Sequence, residues 1–459
     1  MMTKKGSTVA TSPRAGGRTN PFLATLSLLI VAIPIFNYVI MSTHLSFGNG
    51  DPPPSQPEYV SPMLKKAQSI NSYWWPDPKT GGGILGKIYL SQHPPVEECS
   101  RKETKFFIWR SLKDNENDTR GLTAWAHAFY SHLMHALSDG DKFEKGVVGS
   151  RIILQDDLLW PMAKGCIHKD PDGRSIQTRE CYFEPLSSCK LSDVDKIDFD
   201  PKNKAVQVLK SHDSDYDRSA RTVYSSHSIW FKLTRMKFAF TGLPKTGHSE
   251  MTISAASLAY YFRPKPWLVK EIDERIRNSI PADLNPDRTI GVPIRRSDKC
   301  HGHSIKGSAR GELDCPSLPK YLEGIKHFLD LDPLIENVIV TSEDKSACDE
   351  FLVLVRQELP KLRVIINEGD VQQGTGSGSK LESYVQGAAN ANVIASALTS
   401  MHLHLRARYF VVTSKSTWTS TIAVMARTYG FASDVMVIDI GPNVNTFSNL
   451  ARVGCPIDK

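Results

Sequence analysis

The 459-residue chain has no RNA-binding signature, no zinc-type spacing of cysteine and histidine, and no long basic run. Its net charge of +7 is too diffuse to argue for nucleic acid, though it suits an anionic ligand. No internal repeat is visible, which argues against repeat architectures. The glycine-rich run "GTGSGS" (374–379) lacks the Lys-Ser/Thr ending of a P-loop and sits in no dinucleotide fingerprint. It reads as a lid or linker. His301 and His303 have no third ligand in reach, so they read as loop residues. The DxD triplets (Asp193 with Asp195, Asp198 with Asp200, Asp213, Asp215 and Asp217, Asp330 with Asp332) are numerous and mostly in polar loops. They read as solvated acids, not as a metal site.

Long uncharged runs are scarce too, with one exception. "FLATLSLLIVAIPIFNYVIM" (22–41) is long enough to cross a bilayer core of ~30 Å as a helix. It is long for a signal-peptide core, and no small-residue cleavage site follows closely. Lys4, Lys5, Arg14 and Arg18 precede it. The expected topology is therefore type II: residues 1–21 a cytosolic tail, 22–41 a membrane-spanning signal anchor, and everything beyond in a lumen. The segment 42–90 contains "FGNGDPPPSQPEYVSP" and reads as a stem. Eight cysteines suit an oxidising compartment. Cys99, Cys166, Cys181 and Cys189 lie in the N-terminal half, and Cys300 and Cys315 bracket a polar loop that they could staple. Connectivity stays open at this point. Asn117 in "NDT" is a glycosylation acceptor that only a lumenal domain would use.

Two lobes are expected, 91–285 and 286–459. In the first, "TAWAHAFYSHLMHAL" has helical spacing, "RIILQDDLLW" reads as a strand and its exit, and "SHDSDYDRSARTVYSSHS" as a polar surface loop. "SEMTISAASLAYYFRPKPWLVKEIDERIRNSI" reads as two helices broken at Pro264 and Pro266. The second lobe alternates. "TIGVPI", "NVIVTS", "LRVII", "YFVVTS" and "DVMVIDI" read as strands, with helices between them. Alternation of this kind implies an α/β fold with a parallel sheet, whose ligands sit beyond the carboxyl ends of the strands.

Three polar groups fall at such ends: Arg295 and Arg296, Glu343 and Asp344, and Ser414, Ser416 and Thr417. A guanidinium is a planar fork of donors that matches phosphate oxygens and does not titrate away. Hydroxyls and free N–H groups at a strand-to-helix turn make an anion site. Together they favour a nucleotide diphosphate. Each has an ordinary structural alternative: an arginine paired with Asp298 or another nearby carboxylate, and N-capping by Ser416 or Thr417.

"GVPIRRSDK" (291–299) resembles the His-x-Arg-Arg-x-Asp-Lys motif of the α1,6-fucosyltransferases, the family of the eukaryotic N-glycan core enzyme and the bacterial Nod-factor enzyme. "YYFRPKPWLVKEIDERI", "NVIVTSEDKSACDEF" and "YFVVTSKSTWTSTIAVMARTYG" are similar to further segments of that family, in the same order, as are the cysteine-bearing "EECSRKE" and "ECYFEPLSSC". The resemblance covers roughly residues 95 to 430. It implies a GT-B-like glycosyltransferase with a C-terminal Rossmann-type parallel sheet, held in the Golgi membrane by its anchor. The implied reaction is inverting, metal-independent transfer of fucose from GDP-fucose to a glycan such as the N-glycan core GlcNAc. No cofactor is implied, and a homodimer is compatible with it. Arg295 would hold the β-phosphate, and Glu312 falls at the spacing of the family's catalytic base. Arg296, Asp298, Lys299, Tyr321, Glu343, Asp344, Ser416 and Thr417 would complete the donor site, and Cys99 would pair with Cys189. The chain departs from the pattern at Pro293 and Trp418, near Met401 where the guanine-reading acid is missing, and in a donor loop reduced to "RGLTAW" (120–125). Those departures leave two other readings open: a different nucleotide sugar, or an inactive lumenal domain that binds glycans.

Overall fold

The computed structural model describes residues 70–79, 83–110, 122–137, 152–155, 163, 166–170, 172–176, 178–194, 206–209, 220–226, 250–296, 316–367, 391–413, 416–432 and 434–441. All of them belong to one unit, Val60–Lys459. The anchor, Asn117, Asp298, Lys299, Cys300, Glu312, Cys315, Ser414 and the glycine-rich run fall outside the described residues. Among the described residues no helix is long and apolar enough to cross a membrane.

The N-terminal lobe runs α1 (Gly83–Gln92), α2 (Val96–Cys99), β1 (Phe106–Arg110), α3 (Leu122–Leu137), β2 (Ile152–Gln155), β3 (Val206–Leu209), β4 (Thr222–Ser226), α4 (Glu250–Tyr261) and α5 (Pro266–Ser279). Its strands pair in parallel in the order β2-β1-β4-β3. This corrects the sequence reading in one place. β4 lies inside the stretch expected to be a polar loop, and its short, polar "TVYSS" is a strand because β1 and β3 pair with it from both sides. The break between two helices at Pro264 and Pro266 is found as expected, between α4 and α5, and Pro266 opens α5, where its missing N–H is no loss.

The C-terminal lobe alternates as expected: β5 (Thr289–Ile294), α6 (Leu318–Leu331), β6 (Asn337–Ser342), α7 (Lys345–Glu358), β7 (Arg363–Ile366), α8 (Ala391–His404), β8 (Tyr409–Val412), α9 (Thr417–Tyr429) and β9 (Met436–Asp439). The order is β7-β6-β5-β8-β9, all parallel. β5 and β6 are buried along their whole length, so they read as unbroken apolar runs. Alternate residues feed opposite layers. Val338 and Val340 pack with Leu318, Ile325 and Phe351 of α6 and α7. Ile339, Ile365 and Phe410 pack with Ile394 and Leu398 of α8, in a core that continues into α3, α4 and α5. The lobes thus share one core, with α9 lying on α3 and α4, and α8 on α5.

The folded unit begins earlier than the expected stem boundary at residue 90. α1 supplies Ile84, Leu85 and Ile88 to the core. Residues 70–75 are strapped across both lobes. Arg406, fully buried, donates from Nε to the Ile70 carbonyl and from Nη2 to that of Ser72 at 2.6 Å. Tyr73 N–H donates to Asp273 of α5 at 2.6 Å, and Trp75 Nε1–H to the Ala259 carbonyl of α4 at 2.9 Å. The His402 ring lies 4.7 Å from that of Tyr73 and 4.8 Å from that of Trp75.

Cys99 and Cys189 form the disulfide that the family resemblance implies, and Cys166 pairs with Cys181, which the sequence left open. Between the bridges the chain is irregular and is held by two buried arginines. Arg179 Nη1 donates to the Glu184 carbonyl at 2.6 Å, and Arg263 Nη2 to that of Pro185.

Candidate functional site

The C-terminal sheet starts at its centre. From β5 the chain moves to β6 and β7 on one side, then returns to β8 and β9 on the other. α6, which follows β5, and α9, which follows β8, pack on opposite faces of the sheet, the topology in which a parallel sheet takes ligands in a crevice beyond the carboxyl ends of those two strands. Arg295 and Arg296 follow β5 directly, and Thr413, Ser416 and Thr417 follow β8. These two groups stand at the carboxyl ends of the two strands that flank the switch point.

The next strand adds a carboxylate. Ile294 is in register with Ser342, so Arg295 and Glu343 leave the sheet at the same level. Arg295 Nη1 donates to Glu343 Oε1, and the same oxygen accepts the Arg296 backbone N–H at 2.9 Å. The side chains are 9% and 15% exposed, so the pair is largely withdrawn from water. A guanidinium in that setting is costly to bury without such a partner. The carboxylate also fixes the direction of the fork. Arg296 is half-buried and carries the second cation. The ion-paired alternative for Arg295 is therefore realised, with Glu343 as the carboxylate.

Asp344 and Ser416 have capping tasks. Asp344 is buried, and its Oδ1 accepts the Ala347 N–H at 3.0 Å to cap α7. Ser416 caps α9 by accepting the Thr419 N–H at 3.4 Å. The turn before α9 is closed by Ser416 N–H to the Thr413 carbonyl at 3.0 Å, and Thr419 Oγ1 donates to the same carbonyl. Capping by Ser416 satisfies one of the first-turn N–H groups of α9, and the others have no carbonyl of their own helix to bond. No acidic residue occupies that turn.

Tyr321 does not reach the crevice surface. It is fully buried on α6, with its hydroxyl close to the Arg295 backbone and the Thr413 side chain but without a well-formed hydrogen bond to either. Burial, and then the Glu343 charge, push its pKa up, so it stays neutral. It is a floor beneath both halves of the site.

The N-terminal lobe supplies a residue that the sequence did not single out as functional. Thr123, in the first turn of α3, places Oγ1 3.2 Å from Thr417 Oγ1. Its signal was the position of "RGLTAW", where the family carries its donor loop. Met401, near the expected guanine-reading position, is fully buried in α8. Among the described residues, a metal-like grouping arises at Cys99, Cys189 and Asp193. Its sulfurs are bonded to each other, and Asp193 accepts the Lys190 N–H at 2.6 Å. A cavity of about 570 Å³ in the N-terminal lobe, lined by His93, Arg179, Glu180 and Lys190 among others, shares no residue with the crevice.

Two cations, a helix N-terminus and a row of hydroxyls can hold a doubly charged phosphate group. Glu343 offsets one of the two cations.

No family model and no curated protein matches the chain. Solved structures do resemble it. A mutant Arabidopsis thaliana FUT1 in complex with GDP aligns at 14% identity and a TM-score of 0.40, over 79% of this chain and 81% of that one. The fucosyltransferase NodZ from Bradyrhizobium aligns at 12% identity and 0.37, over 71% and 94%. POFUT1 in complex with GDP aligns at 12% identity and 0.37, over 73% and 99%.

Proposed function

We propose that this chain is a Golgi glycosyltransferase of the fucosyltransferase type, transferring fucose from GDP-fucose to a glycan, the N-glycan core GlcNAc being the acceptor that the motif order favours. The observation that carries this reading is the placing of Arg295 and Arg296, and of Thr413, Ser416 and Thr417, at the ends of the two strands that flank the switch point of a parallel sheet. The leaving group is a nucleoside diphosphate. Its charge grows as the glycosidic bond breaks, and a fixed cation at the β-phosphate stabilises it. Losing such a group costs about 3 kcal/mol, or ~100-fold in rate. With protein cations in that place, the reaction runs without a metal. Arg295 takes the β-phosphate, and Arg296 with the α9 N-terminus takes the remaining charge. Glu312, the expected base, would remove the acceptor proton during an inverting attack. The apolar run 22–41 would hold the enzyme as a type II membrane protein with this site in the lumen.

One observation favours a second reading, a different nucleotide sugar. Met401 is buried among apolar side chains, and no acid stands beside it in "SMHLHL" to read guanine. Titrating the full-length chain with GDP, UDP and GDP-fucose separates the two. Selective GDP binding, followed by fucose transfer in an acceptor screen, is the expected result. Preference for UDP would establish the second reading, and binding without transfer would mark an inactive lectin-like domain.

A further inference from the structure

We infer that α3 of the N-terminal lobe is a positioning element for the phosphate turn, acting through His127 and Thr123; this rests on the donor reading above. The two helices begin side by side. Thr123 Oγ1 is 3.2 Å from Thr417 Oγ1, and His127 Nε2 is 2.9 Å from Thr421 Oγ1. Each partner advances by four residues, close to one helical turn. α3 and α9 therefore run in the same direction, with their N-termini level.

The hydrogen positions in this contact can be assigned. Thr421 Oγ1 donates to the Thr417 carbonyl at 2.6 Å, which uses its one hydrogen. With that hydrogen so used, Thr421 Oγ1 accepts from His127 in the Nε2–H tautomer, and the same ring lies within reach of the Thr417 backbone. A relay results: His127 Nε2–H to Thr421 Oγ1, and Thr421 Oγ1–H to the carbonyl of Thr417, the first residue of α9. Thr123 meets the side chain of the same Thr417. An imidazole and a hydroxyl on one lobe thus fix both the peptide and the side chain at the start of the helix whose N-terminus faces the phosphate.

The alignment has an electrostatic consequence. Parallel helices with level N-termini bring two positive dipole ends together, which repel. Neither first turn contains an acidic residue. An anion at the shared end offsets both dipoles, so phosphate binding and the docking of α3 on α9 reinforce each other. His127 and Thr123 are positioning residues in this scheme, since neither needs to touch the ligand.

The test uses the full-length chain and inorganic pyrophosphate, with affinity from calorimetry and thermal midpoint measured in parallel. Thr421→Val keeps the volume and breaks the relay, as does His127→Leu. Each is expected to weaken pyrophosphate about tenfold, the size of one hydrogen bond. The double variant is expected to lose no more than either single, because one relay is broken once. Thr421→Ser and His127→Gln, which retain the hydroxyl and the donor, are expected to bind within about twofold of the unaltered protein. A lowered midpoint with unchanged pyrophosphate affinity would overturn the inference and leave the contact as lobe adhesion. Multiplying losses in the double variant would also overturn it. If His127→Leu does not fold, the comparison of Thr421→Val with Thr421→Ser decides alone. Failure of the unaltered protein to bind pyrophosphate is a separate result, which sinks the donor reading itself.

Discussion

Glu343 and Asp344 are neighbours with opposite prospects on ligand binding. Asp344 spends its carboxylate on the α7 N-terminus. Asp344→Ala should cost about 1 kcal/mol of stability, the worth of an N-cap, and leave pyrophosphate affinity within about twofold. Urea unfolding and calorimetry check the two halves; a large affinity loss would make Asp344 a ligand contact. Glu343 instead compensates a cation that a phosphate would also compensate. Glu343→Gln leaves a nearly buried guanidinium without its counter-ion, at about 3 kcal/mol. Pyrophosphate should restore much of that loss, so its thermal shift should be larger in the variant than in the unaltered protein. Equal shifts would mean that the ligand never meets Arg295. The sequence placed Arg295, Arg296 and the turn at strand ends correctly, because strand polarity and the Gly-Val-Pro-Ile run are local signals. It did not reveal the choice of Glu343 as partner. That choice follows from the register of β5 against β6, a tertiary fact.

Among the elements, the C-terminal strands were legible because β5 and β6 are buried on both faces and punctuated by polar turns. Of the N-terminal sheet only β2, in "RIILQ", was legible. β1 "FFIWR" sits among lysines and arginines, and β3 and β4 are short segments whose strand character comes from pairing. Close approach was equally hidden. Gly324 of α6 lies so near β8 that an added Cβ would meet Val411 Cγ1 at 2.6 Å. Alanine there gains about 1 kcal/mol of helix propensity but forces overpacking worth 1–3 kcal/mol at roughly the same place. The contact wins because Val411 is fully buried and branched. Gly324→Ala should therefore destabilise the protein by about 1 kcal/mol, and Val411→Ala added to it should recover part of the loss. Additive losses in denaturant titration would contradict this packing account.

At the scale of the molecule, the segment before α1 is structure rather than spacer. A chain lacking residues 70–79 would leave Arg406 buried without two of its carbonyl acceptors. Burial already lowers the Arg406 pKa to about 9. The truncated chain should melt lower than the full chain. Arg406→Met should destabilise the full chain but partly rescue the truncated one, a reversal of sign that thermal melts can read. Buried histidines set the pH response. His404 is held down to about 3 and His127 to about 4, both chiefly by burial. In the unfolded chain both titrate near 6.5. Between those values the unfolded state takes up protons that the native state refuses, so stability is full above pH 6.5 and falls as pH drops toward 4. The slope approaches about 1.4 kcal/mol per pH unit for each histidine. Unfolding at pH 7 and 5.5 should differ accordingly, and a flat profile would show that the native imidazoles take up protons over the same range as the unfolded ones.

The central claim is that Arg295 holds the β-phosphate of a nucleotide sugar. The direct measurement is calorimetric titration of GDP and GMP against the unaltered protein, Arg295→Lys, and the paired variant Arg295→Ala with Glu343→Gln, which removes both charges and so spares the fold an unpaired carboxylate. The paired variant should lose GDP affinity by about 100-fold while GMP affinity changes little, because only GDP carries the contacted phosphate. Arg295→Lys should resemble it, since an ammonium keeps the charge and loses the planar fork. Equal losses for GDP and GMP, or none for either, would contradict the account and leave Arg295 as an ion-paired strand end.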